Sequence, residues 1–419
     1  QSQINLAVLD ESNQNLTASQ KLLVLWHSKF GHKGFTTIQR LFKLSPFNSE
    51  RFKAASQCDI PKCEVCEHAK AHRQKTHGAK QSTNKVTDGA LKVNDLIPGS
   101  SVSVDHFESR LKGRRQDSYG KSPNPYVGGC IFVDHMSGYI HVEEQLGFSG
   151  TETIRAKQSF EKLALDHGVV IHNYLCDNGI FKGRAFVKHL HEHNQKVQYC
   201  GVNAHHQNGV AERSIRTVSD CARALLLHAA LRWKDGPINS SFWPFAVQHA
   251  CYLYNHCPDA SGTCPADRFY GEEIPRHKLL DLHCWGCPVY VLDPVLQQGR
   301  KLPKWQPRSR RAVFLGFSRV HSSDVPLVLN LKTGYISPQY HIVFDDTFSS
   351  VVSHSVDEEP PEFWNSIELD AFTYKIPVDN PPPYLQDDWL TPTELEEKQR
   401  YQLRNKAEVP TITNNIPYH

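Results

Sequence analysis

Methionine is almost missing from this 419-residue chain: Met136 is its one instance, and residue 1 is Gln. A segment released from a longer precursor polyprotein is the expectation. No run of about 18 apolar residues is present, so no membrane-crossing helix is expected. Nor is there a basic start followed by an apolar stretch and a small-residue cleavage site. These absences point to a soluble intracellular protein with no membrane partner. A disulfide framework is missing as well, because the twelve cysteines are irregularly spaced; free thiols and metal ligation are the better use of them. No internal repeat organises the length, which exceeds one ordinary domain and suggests roughly two to four units.

What is present is charge, unevenly laid out. Residues 357–397 hold twelve acids against one base, Lys375, and residues 398–419 carry a net charge of +3. With +3 for the whole chain, residues 1–356 are left at +11. A basic body fits a polyanion through phosphate neutralisation and counterion release, although an ordinary solvated surface gives the same sum. The acidic stretch has no periodicity and holds Pro360-Pro361 and Pro381-Pro382-Pro383, the make-up of a disordered tail.

Residues 1–20 are polar and read as a disordered N-terminus, residues 21–75 as a small helical module with clustered His and Cys, and residues 76–99 as a basic linker. From residue 100 the pattern alternates. Strands are expected over 101–107, 127–134, 139–143, 169–175 and 197–201, and helices over 151–167, 184–193 and 210–230. That β-β-β-α-β-α-β-α order predicts an α/β core, a mixed five-stranded sheet with helices against it. A helical extension over 241–254 and 265–270 carries this unit, 100–275, to its end. Short β-runs at 288–292, 312–317, 328–331 and 341–344 predict a small β-rich domain over 276–350, a barrel being one form it can take. Residues 351–419 form the acidic, Pro-rich tail.

Two constellations carry chemistry. His27 and His32 stand in WHSKFGH, and Cys63 and Cys66 in CEVC some thirty residues later. Two imidazoles and two thiolates make a closed tetrahedral set for one structural Zn²⁺, which stabilises a fold and leaves no position open for catalysis. Among 24 His most are non-ligands, and Cys58 is either a substitute ligand or a buried thiol. The second set is Asp105 inside the first strand (SVSVDHF), Asp177 at the end of a buried strand (YLCDNG) and Glu212 on the long helix (NGVAERSIRT). An acid inside an apolar strand is costly without a cation. Two Mg²⁺ ions held by three carboxylates activate the attacking oxygen and stabilise the leaving one during displacement at phosphorus.

Each of those acids has a plainer reading. Asp134, before the hairpin turn, competes for a ligand role but reads as a turn residue. Asp177-Asn178-Gly179 is itself strong turn chemistry, and Glu212 suits the first turn of a helix through the dipole. On the long helix Glu212, Arg216, Ser219 and Arg223 form one polar stripe, expected to face substrate. Ile215, Val218, Ala222, Leu225 and Ala229 form the opposing apolar stripe, expected to face the core. Arg213 and Arg216 suit phosphate contact, although surface Arg is commonplace on helices.

At these motifs the chain resembles the integrases of copia-type LTR retrotransposons, in the retroviral integrase superfamily. WHSKFGH with CEVC looks like the family's HHCC zinc module, and VDHF, CDNG and HHQNGVAERSIRT like its three acid motifs. SSFWPFAVQHACYLYNHCP resembles the helical region after the core; HCWGCPVYV, RAVFLGFS and YHIVFDD resemble the downstream β-rich portion. The likeness spans roughly residues 20–346, and Asn208, Gly209, Glu212 and Arg213 together are its most specific part. Thirty-four residues separate Asp177 from Glu212, one short of the commonest family spacing. Ala204-His205 stands where a Pro often precedes the Gln-Asn pair, and residues 108–126 lengthen the first hairpin.

The resemblance implies an RNase H-like core with Asp105, Asp177 and Glu212 as catalytic triad on two Mg²⁺ or Mn²⁺ ions. His27, His32, Cys63 and Cys66 become the ligands of one Zn²⁺, and Asn208, Arg213, Arg216 and Arg223 contact nucleic acid. The implied function is an integrase that transfers 3′ ends of element DNA into target DNA by transesterification. Double-stranded DNA, further copies of the chain and a host chromatin factor are the implied partners, with action in the nucleus after a cytoplasmic particle stage. The basic run at 301–311 serves as a localisation signal or as a DNA-facing surface. An RNase H-type nuclease and a catalytically inactive nucleic-acid-binding relative are the alternatives.

Overall fold

Helix signals come early in the chain. Thr17 accepts a hydrogen bond from the Gln20 N–H while Gln20 Oε1 accepts from the Thr17 N–H, a reciprocal cap that opens α1 (Ala18–Lys29). The computed structural model describes residues 15–71, 97–116, 124–177, 179–200, 208–233, 236–321 and 324–351, with the backbone of 369–371. Expectations for residues 1–14, the linker 72–96 and the rest of the tail lie outside these.

Leu23 and Trp26 of α1, with Phe30 at its C-terminal cap, meet Ile38 and Leu41 of α2 (Phe35–Leu41) and Phe52 of α3 (Glu50–Ala55). Trp26 is ringed by Phe42, Phe47 and Phe52 at centroid separations of 6.3, 4.9 and 5.8 Å, so a few large rings do most of the filling in this small module. The fourth helix, α4 (Glu64–Ala69), lays Val65 and Ala69 against Ala224 and Leu227 of a helix far downstream.

The second unit is the expected mixed sheet. β1 (Val102–Gly113), β2 (Tyr126–Asp134) and β3 (Ile140–Gln145) are antiparallel, and β4 (Asn173–Cys176) and β5 (Lys196–Tyr199) continue in parallel on the other side of β1, in the order β3-β2-β1-β4-β5. Successive strand residues point to opposite faces. Val104, Cys130 and Phe132 therefore pack against α5 (Gly150–Asp166) and α6 (Arg184–Glu192), through Ala156, Phe160 and Phe186. Phe107, Ile131 and Val133 face α7 (Gly209–Arg232) and α8 (Trp243–His256). This is a ribonuclease H-like layering, sheet between helices. A side chain at Gly129 would bring its Cβ to 2.7 Å from the ring of Phe107, which is why glycine sits opposite that residue.

Two strands differ in length from expectation. β1 runs on to Gly113, and β4 starts only at Asn173. Val169 and Ile171 are buried but Val170 is 54% exposed, so their apolar character reflects one-sided packing ahead of the sheet.

After α9 (Pro265–Tyr270) come β6 (Pro288–Leu292), β7 (Ser309–Phe317), β8 (Pro326–Asn330), β9 (Ile336–Pro338) and β10 (Ile342–Phe344). They form an antiparallel sheet in the order β10-β6-β7-β8-β9, which among the described residues is open at both ends and not a barrel. Val289, Val291, Val313 and Leu315 share one hydrophobic cluster with α7, α8 and the central sheet. Lys29 of α1 and Asp346, next to this sheet, form an ion pair at 2.7 Å, both side chains mostly buried.

One finding corrects the reading of the tail as wholly disordered. β11 (Leu369–Ala371) pairs antiparallel with β1, Phe107 opposite Ala371 and Ser109 opposite Leu369. β4 covers only Val102–Val104 of that edge, and β11 takes up backbone groups further along it. Among the described residues no helix is long and apolar enough to cross a membrane.

Candidate catalytic and metal sites

Val104 of β1 and Cys176 of β4 are partners in parallel register. One residue further along each chain stand Asp105 and Asp177, at the same level on neighbouring strands about 4.8 Å apart. Strand alternation turns Asp105 to the face that α7 covers, and Glu212 lies in the first turn of α7. Asp105 is 6% exposed, whereas Asp177 and Glu212 are half-buried.

The His106 N–H donates to Asp105 Oδ1 at 2.8 Å. The Asn208 amide donates to Asp105 Oδ2 at 3.3 Å and to the Val104 carbonyl at 3.2 Å, which pins the start of α7 to β1. Burial, with the charges of Asp177 and Glu212 close by, pushes the Asp105 carboxyl up to about 8 against the pull of the His106 N–H. Asn208 Oδ1 is buried without a hydrogen-bond partner among the described residues. By donor chemistry three carboxylates suit a hard divalent cation, Mg²⁺ or Mn²⁺, whose preferred donors are oxygens; their charges act on one another here, but among the described residues they are not drawn into one metal-holding group. Asn178 and the motif residues His205, His206 and Gln207 lie outside the described residues.

Asp134 is a turn residue. It is fully buried, its Oδ1 accepts from the Gly99 N–H at 2.9 Å, and its Oδ2 accepts from the Ser137 N–H and hydroxyl at 2.8 and 2.6 Å. One oxygen thus holds the hairpin turn and the other the segment leading into β1.

The polar stripe expected on α7 is shorter in the structure. Arg213 and Arg216 are exposed on the same turns as Glu212. Ser219 is buried and donates to the Ile215 carbonyl at 2.6 Å. Arg223 is not brought together with the others: its guanidinium donates to the Ala69 carbonyl at 3.0 Å and to Asp220 at 2.9 Å, which ties α7 to α4. The apolar stripe from Ile215 to Ala229 packs as expected, and a second one, Ala224 and Leu227, meets α4.

The His/Cys set is drawn together tightly. One ligand atom from each of His27, His32, Cys63 and Cys66 lies within 4.8 Å of every other, the one such group among the described residues. His27 Nδ1 donates to the Lys33 carbonyl at 2.6 Å, leaving Nε2 at 3.3 Å from Cys66 Sγ. His32 presents Nδ1, at 3.4 Å from Cys63 Sγ and 3.1 Å from His27 Nε2. Left-handed backbone at Gly31 and His32, φ 63° and 59°, brings the second imidazole back over the end of α1. Burial lowers the His32 imidazole to about 4. Hydrogen bonds from Cys66 and from both imidazoles draw the Cys63 thiol down toward thiolate. A buried His32 imidazole held neutral and a Cys63 thiol drawn toward thiolate suit the donor state that tetrahedral Zn²⁺ takes. Cys58 stands apart, its thiol donating to the Ala55 carbonyl at 3.3 Å.

Sequence reasoning missed two features here. His228, on the face of α7 toward the N-terminal module, places Nδ1 at 3.1 Å from His32 Nε2; the apolar positions Ala224, Leu227 and Leu231 around it, at helical spacing, were the available signal. Cys284 and Cys287 repeat the Cys-x-x-Cys spacing, but both are fully buried in the apolar cluster with thiols pushed well up by burial.

Residues 4–71, which include His27, His32, Cys63 and Cys66, match the family model described as the GAG-pre-integrase domain. Over 332 residues the chain is 25% identical to the retrovirus-related Pol polyprotein from transposon RE1 of Arabidopsis thaliana, covering 77% of this chain and 19% of that one. Against the retrovirus-related Pol polyprotein from transposon TNT 1-94 of Nicotiana tabacum it is 24% identical over 297 residues, 70% of this chain and 19% of that one. The chain thus spans 19% of the length of each of these relatives. The HTLV-2 integrase catalytic core domain in complex with magnesium aligns over 42% of this chain and 98% of its own, at TM-score 0.30 and 18% identity. The simian T-cell lymphotropic virus intasome in complex with PP2A regulatory subunit B56 gamma aligns over 58% and 80%, at TM-score 0.32 and 14% identity.

Proposed function

From the premise that this chain is a relative of LTR-retrotransposon Pol polyproteins, of their integrase-like kind, we propose that it joins 3′ ends of element DNA to target DNA by phosphodiester transesterification. The observation that carries the reading is the setting of Asp105, a buried acid held beside Asp177 and Glu212 with its carboxyl pushed up to about 8. Such a cluster is unfavourable by itself and is relieved by divalent cations. When bound between these acids, two Mg²⁺ or Mn²⁺ ions supply activation of the attacking hydroxyl and charge neutralisation at the leaving oxygen.

The chain's own residues do the rest. Asp105 and Asp177 provide ligands from adjacent strands, and Glu212 provides a third from the helix pinned above them by Asn208. Arg213 and Arg216, exposed beside Glu212, hold DNA phosphates, while His27, His32, Cys63 and Cys66 hold one structural Zn²⁺. The partners are double-stranded element and target DNA, further copies of the chain that each serve one DNA end, and a host chromatin factor, with action in the nucleus after assembly in a cytoplasmic particle.

Strand transfer with oligonucleotide ends, comparing the unaltered chain with Asp177→Asn and Glu212→Gln, is the direct test. Joining that persists in both variants would sink the triad. Cleavage of an RNA–DNA hybrid without joining would move the reading to a nuclease.

A further inference from the structure

The N-terminal module packs directly on the long helix α7. It meets α7 through α4, where Arg223 donates to the Ala69 carbonyl at 3.0 Å, and also through the Cys221 thiol, which donates to the Gly31 carbonyl at 3.4 Å. The fit at Gly31 leaves no room for a side chain, since a Cβ there would stand 2.6 Å from Cys221 Sγ. At the centre of this contact the imidazoles of His32 and His228 cross at 77°, both nearly inaccessible.

The two nitrogens of His32 are therefore divided. Nδ1 faces His27 and Cys63, and Nε2 faces His228 Nδ1 at 3.1 Å. A histidine that gives one nitrogen to a metal carries its proton on the other, and the group accepting that proton fixes the tautomer, orients the ring and strengthens it as a ligand. For His27 this acceptor is the Lys33 carbonyl, inside the module. For His32 it is a side chain on the helix that also bears Glu212, sixteen residues and about 24 Å along its axis.

We propose that His228 is a positioning residue of the zinc site, accepting the His32 Nε2–H, so that zinc binding by the N-terminal module also fixes the C-terminal half of α7. This rests on the zinc reading of the four ligands given above. Loss of the acceptor loosens metal retention, and loss of the metal loosens the helix.

The test starts from the zinc content of the purified full chain; near-zero zinc in folded protein overturns the ligand set and this inference together. With zinc present, its release to an excess of a colorimetric chelator is timed for the unaltered chain, His228→Phe and His228→Asn. Asn offers an oxygen acceptor close to the position of Nδ1. Release about 10–100-fold faster in His228→Phe, largely restored in His228→Asn, is expected. Equal release in all three overturns the proposal and leaves the ligand set standing; equal acceleration in both variants assigns His228 to packing alone and overturns it too. Hydrogen exchange on the unaltered chain needs no variant: chelation increases exchange across residues 221–232, and unchanged protection there counts against the proposal in the same way.

Discussion

The two ligand clusters of this chain are built on opposite terms. The His/Cys set is complete, with its four ligand atoms within 4.8 Å of one another and its imidazoles aimed by hydrogen bonds. The acid set is looser: one member is buried and two are half-buried, and among the described residues Asp105 is held by an amide and a backbone N–H. A closed soft-donor set stabilises a fold, and an open hard-donor set leaves places for substrate oxygens. A second contrast lies across the same sheet. Burial alone would raise Glu143, yet the His141 N–H at 2.9 Å, Arg319 at 3.3 Å and the Ser159 hydroxyl at 2.7 Å bring it down to about 2. Asp105 is buried and Glu143 mostly so; what separates them is the His141 N–H and the Arg319 guanidinium that face Glu143, where Asp105 faces two further acids.

The comparison breaks if the clusters respond alike to substitution. The largest effect is expected on joining: Asp177→Asn or Glu212→Gln should lower strand transfer on the order of a thousandfold or more, with the melting temperature unchanged. Next comes stability. Cys63→Ser should abolish zinc content and cost several kcal/mol of unfolding free energy, about the scale of losing a structural metal ligand. Atomic absorption with thermal unfolding reads both, and a variant that keeps its zinc would place the metal elsewhere.

A smaller effect concerns pH. Glu143 is ionised in the fold down to about 2, below its ordinary value of 4.5, so its contribution is full above 4.5 and is lost as pH falls toward 2. Asp105 has the opposite sign. Its folded value near 8 lies above the ordinary 3.8, so without metal its ionisation costs stability progressively as pH rises from 3.8 through 8. In chelator, Glu143→Gln should destabilise by about 2 kcal/mol at neutral pH and less in acid, while Asp105→Asn should raise the melting temperature at pH 8 and leave it nearly unchanged at pH 4. Matching pH profiles in the two variants would erase the distinction. Least in size, Arg213→Ala or Arg216→Ala should weaken DNA binding a few-fold and reduce the salt slope by about one each. Arg223→Ala should leave that slope alone and loosen α4, which titration in two salt concentrations separates.

Much of the central sheet was legible because its signals are local. Alternation marks β2 and β3, and the 3.6-residue stripe from Ile215 to Ala229 marks α7. Asp105, Asp177 and Glu212 could be named for the same reason, as acids at the places where an α/β core gathers strand ends and a helix start. Asp134 shows the limit, since an acid at the end of a strand has the same appearance whether its lone pairs go to a turn or to a metal. His228, and the hydrogen bonds that tie Arg223 to Ala69, were not legible because a helix face is polar or apolar only relative to what packs on it, and the packing partner lies more than 150 residues upstream. The two Cys-x-x-Cys pairs make the point again: spacing is shared, but among the described residues it is Cys63 and Cys66 that are grouped with imidazoles.

β11 has a consequence for how the protein behaves when shortened. It lies against the part of β1 that the four-residue β4 leaves uncovered, two residues beyond Asp105. A chain ending at residue 351 would bare a row of main-chain N–H and C=O groups there, in a strand whose other edge is already paired. Bare edges recruit strands from other molecules. Shortened chains should therefore self-associate by backbone pairing beside the acid cluster, and a gain in oligomer size on removing the tail is to be read first as a sticky edge.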